Sequence, residues 1–356
     1  MTNWRPKERK DKEGKMLFVE DKISLRLAEY FEELLNVENR REELTEMYKV
    51  EGPEKGIEVE EVREAMSGMK SNKAPGVSEV SLDMSRAGGE ECLINLVSDL
   101  LKAVWNKEKI PEDRRKSLIV PIFKKKGDIL ECGNYREIKL EHGLKGWERI
   151  LDKRIRKMVK IDPNQFGFMP GKSTVDATFI VRQLVEKRIE GNLAVFCGFV
   201  NLEKAYDRVP REVLYLCLRR KVVSEKLVRM VMETFQDCKT SVRTIEGLSR
   251  EFEIGVGLDQ GSALSPLLFA FIMDVLSQHL RAENLWELLF SDDLAIMADS
   301  EEQLQERLWK WQECLEKYGL KSNAKKMETM AYSKNGEEQA SIRDMHGEEL
   351  KQVESF

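Results

Sequence analysis

Three polar residues at the ends of apolar segments could take part in metal chemistry. Asn201 closes the segment LAVFCGFVN, and Asp292 and Asp293 lie between the apolar runs of LLFSDDLAIM. Carboxylates at the ends of neighbouring strands can hold two Mg²⁺ ions about 4 Å apart, which activates a hydroxyl nucleophile and stabilises a leaving pyrophosphate. An acidic pair is also an ordinary turn sequence, so neither segment alone predicts a site.

Two further segments could serve a phosphorylated substrate. VGLDQGSALSP (256–266) could supply a glycine-rich loop against a nucleotide, and residues 114–160 could supply cations. The latter region contains fifteen Lys or Arg against six Asp or Glu, although the whole chain has a formal net charge of -5. A local excess suits a phosphate backbone, because counterion release depends on local contacts. The helical spacing of 149–160 is equally compatible with a solvated helix face.

Composition narrows the class of protein. With 41% hydrophobic and 35% charged residues over 356 positions, the chain is typical of a globular protein of two or three domains. No secretory signal is evident, and the longest apolar run (267–273) is far below the roughly 20 residues of a membrane span. Six scattered cysteines without a CxxC pair indicate reduced thiols in an intracellular protein, with nucleus and cytoplasm not distinguished. With three histidines, a zinc module or a His-based triad is disfavoured.

The hydrophobic periodicity predicts the elements that position these residues. Residues 193–202 are predicted to form a buried strand, and 286–298 a hairpin around SDD. The sum is an α/β (α+β) fold with a sheet built largely from residues 193–335. Helices are predicted at 21–36, 57–70, 93–111, 147–159, 173–192, 262–280 and 301–319, and further strands at 117–128 and within 241–260.

Eight segments, taken in order, resemble the reverse transcriptase of non-LTR (LINE-type) retrotransposons. They are KAPG (73–76), IPEDRRKSLIVPIFKKKGD (110–128), NYREIKL (134–140), QFGFMPGKSTVDA (165–177), FVNLEKAYDRVPREVL (199–214), GLDQGSALSPLLF (257–269), LLFSDDL (288–294) and GLKSNAKKMETM (319–330). The resemblance covers nearly the whole chain, and the order and spacing of the segments make a chance match implausible.

The resemblance implies a right-hand polymerase with a small, mostly antiparallel palm sheet flanked by helices. Residues 1–56 would be a helical leader and linker, 57–190 the fingers, 191–335 the palm, and 336–356 a truncated hairpin towards a missing thumb. The implied activity is RNA-directed DNA polymerisation with Mg²⁺, or Mn²⁺, as cofactor. An RNA template, a DNA primer and dNTPs are the implied partners, with no membrane; the oligomeric state is left open. An endonuclease segment is expected to be absent.

The resemblance also implies roles for individual residues. Asn201 occupies the position of the first catalytic Asp, and Asp292 and Asp293 would hold metal. Without the resemblance, Tyr206 reads equally well as a core aromatic residue. The other implied roles are the backbone carbonyl of Leu202 as a metal ligand, Tyr206 as the gate against a 2′-hydroxyl, Gln260 and Gly261 at the nucleotide and template, Lys125 and Arg136 at the triphosphate, and Lys326 as proton donor near the pyrophosphate.

Departures from the family pattern predict impaired catalysis. Asn201 keeps the shape of Asp but loses the charge on which a hard cation depends. A loss of several kcal/mol of transition-state stabilisation lowers a rate by roughly three orders of magnitude or more. Glu203 and Asp207 are not expected to substitute, because each would need a backbone shift. The other departures are Ser78, a residue missing within 140–147, Asp259 with its negative charge beside the template path, Ser291, and Met327.

Three hypotheses follow from these observations. The favoured one is a reverse transcriptase domain with impaired catalysis. The second is a non-catalytic protein that binds RNA or an RNA–DNA hybrid, for which salt-dependent binding without incorporation would be evidence. The third is a translated retroelement copy without a selected role, for which a non-cooperative melt would be evidence.

Overall fold

The computed structural model describes most of the chain, namely residues 8–43, 45, 48–71, 82–141, 145–245, 247–280, 286–333, 336–337 and 340–354. The KAPG segment, Ser78, and residues 142–144 of the segment predicted to be one residue short therefore lie outside the described residues. Within the described ranges, no helix is long and apolar enough to cross a membrane.

Helices and strands are interspersed along the chain. The helices are α1 (Glu20–Leu34), α2 (Val59–Ser67), α3 (Leu82–Ala87), α4 (Glu90–Lys107), α5 (Lys145–Met158), α6 (Thr174–Glu190), α7 (Ala205–Arg208), α8 (Arg211–Arg220), α9 (Glu225–Phe235), α10 (Ser265–Leu276) and α11 (Glu301–Lys317). The strands are β1 (Arg9–Lys10), β2 (Met16–Leu17), β3 (Lys116–Phe123), β4 (Tyr135–Glu141), β5 (Val195–Asn201), β6 (Lys239–Val242), β7 (Phe252–Glu253), β8 (Glu287–Phe290), β9 (Asp293–Ala298), β10 (Glu328–Ser333), β11 (Gly336–Glu337) and β12 (Lys351–Gln352).

The chain divides into two compact units, each assembled from separate stretches of sequence. Unit 1 consists of Met1–Val37, Tyr48–Met158 and Val222–Ser265. Unit 2 consists of Glu38–Met47, Val159–Lys221 and Pro266–Phe356. These units are defined by packing, and the assignment of leader, fingers, palm and truncated hairpin to stretches of the chain stays a prediction.

Unit 1 is built on a four-stranded sheet in the order β4-β3-β6-β7. Strands β3 and β4 pair antiparallel, from Ser117 opposite Glu141 to Phe123 opposite Tyr135, and form a hairpin with the loop 124–134. Helix α1 buries its apolar face, which includes Phe31, in a cluster with Ile119 of β3. The short ribbon of β1 and β2 was not predicted, because two residues per strand leave no readable alternation.

Unit 2 is built on a sheet in the order β11-β10-β5-β9-β8, in which β12 also pairs with β10. Neighbouring strands are antiparallel except for the β10–β12 pair. Strand β5 is buried on both faces: Cys197 and Phe199 pack in a cluster with apolar residues of α6, whereas a Cβ on Gly198 would lie 3.2 Å from Leu304 of α11. Burial on both sides explains its unbroken apolar sequence. The predicted mixed fold with a small, mostly antiparallel sheet is confirmed.

Candidate active site

Asn201, the last residue of β5, faces an aspartate on the adjacent strand. It is the register partner of Asp293, the first residue of β9. The side-chain Nδ2 of Asn201 donates a hydrogen bond of 2.8 Å to Oδ1 of Asp293. The Asn201 Oδ1 atom is buried without a hydrogen-bond partner among the described residues. Because a carboxylate only accepts hydrogen bonds, this contact fixes which end of the amide faces Asp293.

Asp292 lies in the two-residue turn that joins β8 to β9. The preceding Ser291 has φ 61°, a left-handed conformation that is uncommon for a residue with a side chain. Burial raises the pKa of the Asp292 carboxyl above its usual range, and the charge of Asp293 raises it further. The Lys326 ammonium opposes this shift and lowers the same pKa. Asp292 is therefore within electrostatic reach of a second carboxylate and of one cation.

The raised pKa of Asp292 predicts that this carboxyl destabilises the metal-free fold at neutral pH. When the pKa is higher in the folded state, stability is lost as the pH rises from the unfolded value through the folded value. In a chelating buffer, Asp292→Asn is expected to raise the free energy of unfolding at pH 7 by about 1 kcal/mol. The gain should disappear below about pH 4, where an unfolded Asp is also protonated. Urea denaturation across pH, with Asp99→Asn on the exposed face of α4 as control, would check this; an equal gain in the control would contradict it.

Leu202 and Lys326 lie on segments that are linked to the end of β5. Leu202 forms an isolated antiparallel bridge with Ser322, made by the bonds Asn323 N–H to Asn201 O (2.8 Å) and Glu203 N–H to Lys321 O (2.8 Å). The backbone N–H and C=O groups of Leu202 itself point away from Ser322, so the Leu202 carbonyl takes no part in that bridge. Lys326 ends the short 3₁₀ turn Ala324–Lys326, and its side chain is exposed.

Tyr206 is held between two other aromatic rings. Its ring stacks on Phe269 of α10 with centroids 4.6 Å apart, and meets Phe168 edge to face at 6.2 Å. Burial raises the pKa of the Tyr206 hydroxyl well above its usual value, so it stays protonated. A ring fixed on two sides can act as a steric wall, which is the property that a 2′-hydroxyl gate requires.

The carboxylates nearest to Asn201 along the chain have other surroundings. Glu203 forms an ion pair of 3.1 Å with Arg208. The Asp207 side chain is buried on the short helix α7. Neither observation offers a replacement for a carboxylate at position 201.

The other four predicted site residues belong to unit 1. Lys125 (φ 57°) and Arg136 are both exposed on the β3–β4 hairpin. Gln260 and Gly261 lie against β4: the Gln260 carbonyl accepts from the Lys139 N–H at 2.9 Å, and Gln260 Nε2 donates to Glu137 at 3.1 Å.

Gly261 is required at its position by two independent features. Its φ is 110°, which side chains rarely tolerate, and a Cβ there would lie 3.1 Å from the Lys139 carbonyl oxygen. Four of the ten predicted residues therefore lie in unit 1, and the remaining six, including Asn201 and Asp292, lie in unit 2.

Asp259 has a partner that the sequence did not reveal. Its carboxylate forms an ion pair with the Lys139 ammonium, and both side chains are buried in unit 1. The negative charge predicted beside the template path is therefore compensated by a lysine of β4, and its place relative to a template stays a prediction.

The sequence assigns no role to Gln165 and Gly167, yet both contact the acidic turn. Gln165 is fully buried, and its Oε1 accepts from the Ser291 N–H at 3.3 Å. A Cβ on Gly167 would lie 2.1 Å from the same nitrogen. The two glycines of QFGFMPG were the only signal in the sequence, because a glycine between aromatic residues can mark a close approach of backbones.

The donor set fits a divalent cation, but poorly. Among the described residues, no group of three or more His, Cys, Asp or Glu could hold a metal ion. Asp292 and Asp293 supply two carboxylates, and the unpartnered Asn201 Oδ1 is a neutral oxygen beside them. Oxygen ligands of this kind suit Mg²⁺ or Mn²⁺, although one charge fewer weakens the attraction.

Comparison with known proteins gives matches over most of the chain. The family model described as reverse transcriptase (RNA-dependent DNA polymerase) matches residues 123–349. The Retrovirus-related Pol polyprotein from type-1 retrotransposable element R2 of Nasonia vitripennis is 27% identical over 203 residues, which are 55% of this chain and 20% of that protein. The RNA-directed DNA polymerase from mobile element jockey of Drosophila funebris is 26% identical over 312 residues, 83% of this chain and 33% of that protein. The chain thus spans about a fifth to a third of the length of these relatives.

Solved structures give weaker matches. A telomerase from Candida albicans in complex with the TWJ fragment of telomeric RNA superposes with a TM-score of 0.48 and 14% sequence identity, covering 70% of this chain and 47% of that chain.

Proposed function

Because the chain belongs to the reverse transcriptase (RNA-dependent DNA polymerase) family, we propose that it is an RNA-directed DNA polymerase domain whose catalysis is impaired at Asn201. The predicted resemblance to non-LTR retrotransposon reverse transcriptases is confirmed by the relatives from mobile elements. The observation that carries the proposal is the pairing of Asn201 with Asp293, directly beside Asp292. The activity, the RNA template, the DNA primer and the dNTPs all belong to the proposal.

In this proposal, Asp292, Asp293 and the Leu202 carbonyl hold a divalent cation, Mg²⁺ or Mn²⁺. When bound, such a cation supplies the positive charge that activates a primer hydroxyl and stabilises pyrophosphate. Asn201 contributes a neutral oxygen in place of a carboxylate, and its amide N–H occupies one oxygen of Asp293. Lys326 is the candidate proton donor to the departing pyrophosphate, as the family resemblance implies, and its ammonium is close enough to lower the pKa of Asp292.

Other residues, taken in each unit by itself, have proposed roles in binding and orienting substrate. Tyr206, supported by its stack on Phe269, would exclude a 2′-hydroxyl from the nucleotide site. Lys125 and Arg136 would bind the triphosphate, because both are cationic and exposed. Gln260 and Gly261 would contact the nucleotide and the template with a backbone held on β4.

Primer extension tests the proposal directly. A DNA primer annealed to an RNA template would be incubated with dNTPs, first with Mg²⁺ and then with Mn²⁺. We expect slow incorporation with Mg²⁺ and faster incorporation with Mn²⁺, which tolerates poorer ligand sets. Asp292→Ala should abolish both. Equal incorporation by the unmodified chain and Asp292→Ala would contradict polymerase activity at this site.

Binding of RNA without chemistry is the second candidate, and one observation favours it. Lys125, Lys126 and Arg136 are exposed on the β3–β4 hairpin and form no ion pair with any residue that the structure describes. Other cations of the basic region are used internally, as in the pair between Arg115 and Glu233. RNA binding by these hairpin cations would therefore not require a carboxylate at position 201.

Replacing Lys125, Lys126 and Arg136 together by Ala is expected to weaken binding to single-stranded RNA and to reduce its salt dependence. Each lost phosphate contact lowers the slope of log K against log salt by roughly 0.7 to 0.9, so a decrease of about 2 to 3 is expected. Fluorescence anisotropy from 50 to 300 mM salt, roughly the range over which such slopes are measured, would give the slope.

A matched triple variant provides the control for this measurement. Lys49, Lys107 and Lys109 are exposed lysines of unit 1 outside the hairpin, and their joint replacement by Ala should leave the slope nearly unchanged. Asp292→Ala should also bind RNA as the unmodified chain does. An equal loss of slope in both triple variants would show that net charge, and not the hairpin, governs binding.

A further inference from the structure

The segment 164–166 runs beside the outer edge of β8 and bridges it in parallel at Gln165. The Phe166 N–H donates to the Leu289 carbonyl at 2.7 Å, and the Leu289 N–H donates to the Asn164 carbonyl at 2.9 Å. Gln165 and Leu289 form the corresponding parallel bridge. The segment is therefore attached to the strand that leads directly into the acidic turn.

The side chain of Gln165 continues this attachment into the turn itself. Its Oε1 accepts from the Gly167 N–H at 2.9 Å and from the Ser291 N–H at 3.3 Å. Both neighbours are backbone donors, so the oxygen and not the nitrogen of the amide must face them. The opposite atom, Nε2, is buried without a hydrogen-bond partner among the described residues, although a buried unpaired donor is costly.

The turn needs such support because of its backbone conformation. Ser291 is left-handed, with φ 61°, which is unfavourable for a residue with a Cβ. The absence of a side chain at Gly167 allows this backbone to approach, since a Cβ would lie 2.1 Å from Ser291 N and 2.8 Å from Ser291 Cα. Residues 165 and 167 thus define where Ser291 lies, and Ser291 precedes Asp292.

We propose that Gln165 is a positioning residue that fixes the Ser291–Asp292 turn so that the Asp292 carboxylate is directed towards the divalent cation. The inference rests on the proposed polymerase function. Gln165 acts through Ser291 and touches neither substrate nor metal. Residues that orient metal ligands in this indirect way typically change metal affinity or activity by 10- to 100-fold, roughly, when replaced.

The test compares variants in the full chain carrying Asn201→Asp, using Mn²⁺ as the probe. Free Mn²⁺ is measured by electron paramagnetic resonance, and kcat and KM for dNTP by primer extension. Gln165→Met has nearly the same shape without the acceptor, and is expected to weaken Mn²⁺ binding and lower kcat about tenfold or more, with KM little changed. Gln165→Glu keeps the acceptor oxygen and should recover part of the loss.

Gln305→Met is the matched control. In the same unit, the Gln305 side chain accepts from the Arg343 N–H at 2.8 Å and donates to the Arg343 carbonyl at 2.5 Å. Like Gln165→Met, this substitution therefore removes a glutamine side chain that is hydrogen-bonded to distant backbone. It should leave Mn²⁺ affinity within about twofold of the parent, since it orients no metal ligand. A cooperative melt is required of each variant. If Gln165→Met does not fold, Gln165→Asn is used, which keeps the amide but withdraws its oxygen by one methylene.

The outcomes separate this inference from the proposed function. A folded Gln165→Met or Gln165→Asn variant with unchanged Mn²⁺ affinity and unchanged kcat overturns the role of Gln165. If the parent binds Mn²⁺ but extends no primer, the polymerase proposal fails, while a weaker Mn²⁺ affinity in Gln165→Met still supports the positioning role. If the parent binds no Mn²⁺, both are overturned.

Discussion

Restoring a carboxylate with Asn201→Asp is expected to raise the rate of nucleotide incorporation with Mg²⁺ by about three orders of magnitude. If the proposed function holds, several kcal/mol of transition-state stabilisation depend on the missing charge, and each 1.36 kcal/mol, approximately, is a factor of ten. Asn201 and Asp293 are already register partners with their side chains 2.8 Å apart, so the exchange requires no backbone movement. Single-turnover primer extension on an RNA template would measure the change.

The same substitution should have a second, independent signature in stability. In a chelating buffer, Asn201→Asp replaces an amide-to-carboxylate hydrogen bond by two carboxylates that face each other across β5 and β9. Like charges directly opposite are destabilising, and the hydrogen bond is lost, so we expect about 1 to 3 kcal/mol less stability. Mg²⁺ should then stabilise the variant more than the unmodified chain, because the stabilisation by a ligand of the folded state, RT ln(1 + [L]/Kd), grows as Kd falls.

A neighbouring asparagine provides the control. Asn323 donates its backbone N–H to the Asn201 carbonyl, and Asn323→Asp adds the same charge near the end of β5 without placing it at position 201. This control should not accelerate incorporation as much as tenfold. Comparable acceleration by both substitutions would mean that any added negative charge suffices. A natural chain that is already as fast as Asn201→Asp would show that residue 201 does not limit the rate.

The sequence was sufficient to predict the elements that carry the acidic pair and Asn201. Strand β5 is an apolar run that ends at Asn201, and the β8–β9 hairpin consists of two apolar runs joined at the acidic pair; such runs are readable without tertiary information. The side chain of Ser173 caps α6 by accepting from the Asp176 N–H, and such a contact is local because the cap and its partner are three positions apart. Local patterns therefore located the strand ends that bring Asn201 and Asp293 together.

Features that depend on distant pairs could not be predicted in the same way. Tyr206 stacks on Phe269, and Gln165 reaches Ser291, through contacts between segments far apart in sequence. No periodicity indicates which of many buried aromatic or amide residues will meet. The partner of Asp259 is 120 positions away on β4, so the compensation of its charge could not be predicted from the sequence.

The second large effect is expected on stability, when the carboxylate of the buried Lys139–Asp259 ion pair is removed. Asp259→Ala leaves the Lys139 ammonium buried without the carboxylate, and breaking one side of a buried ion pair typically costs about 3 to 5 kcal/mol. Urea denaturation of the unmodified chain and the variant would measure the loss.

The double substitution Lys139→Met with Asp259→Leu separates charge from packing. Replacement of a whole buried ion pair by apolar side chains is often neutral or stabilising, so the double variant should recover most of the stability lost in Asp259→Ala. Equal losses in the single and double variants would show that shape, and not compensation of charge, is what this position requires. The Lys139 N–H also donates to the Gln260 carbonyl. If the double variant is stable but binds nucleotide more weakly than the unmodified chain, the ion pair is needed to orient the loop that carries Gln260. Under that outcome the role of Asp259 is to fix the backbone of Gln260 and Gly261 within unit 1, where Lys139 compensates its charge.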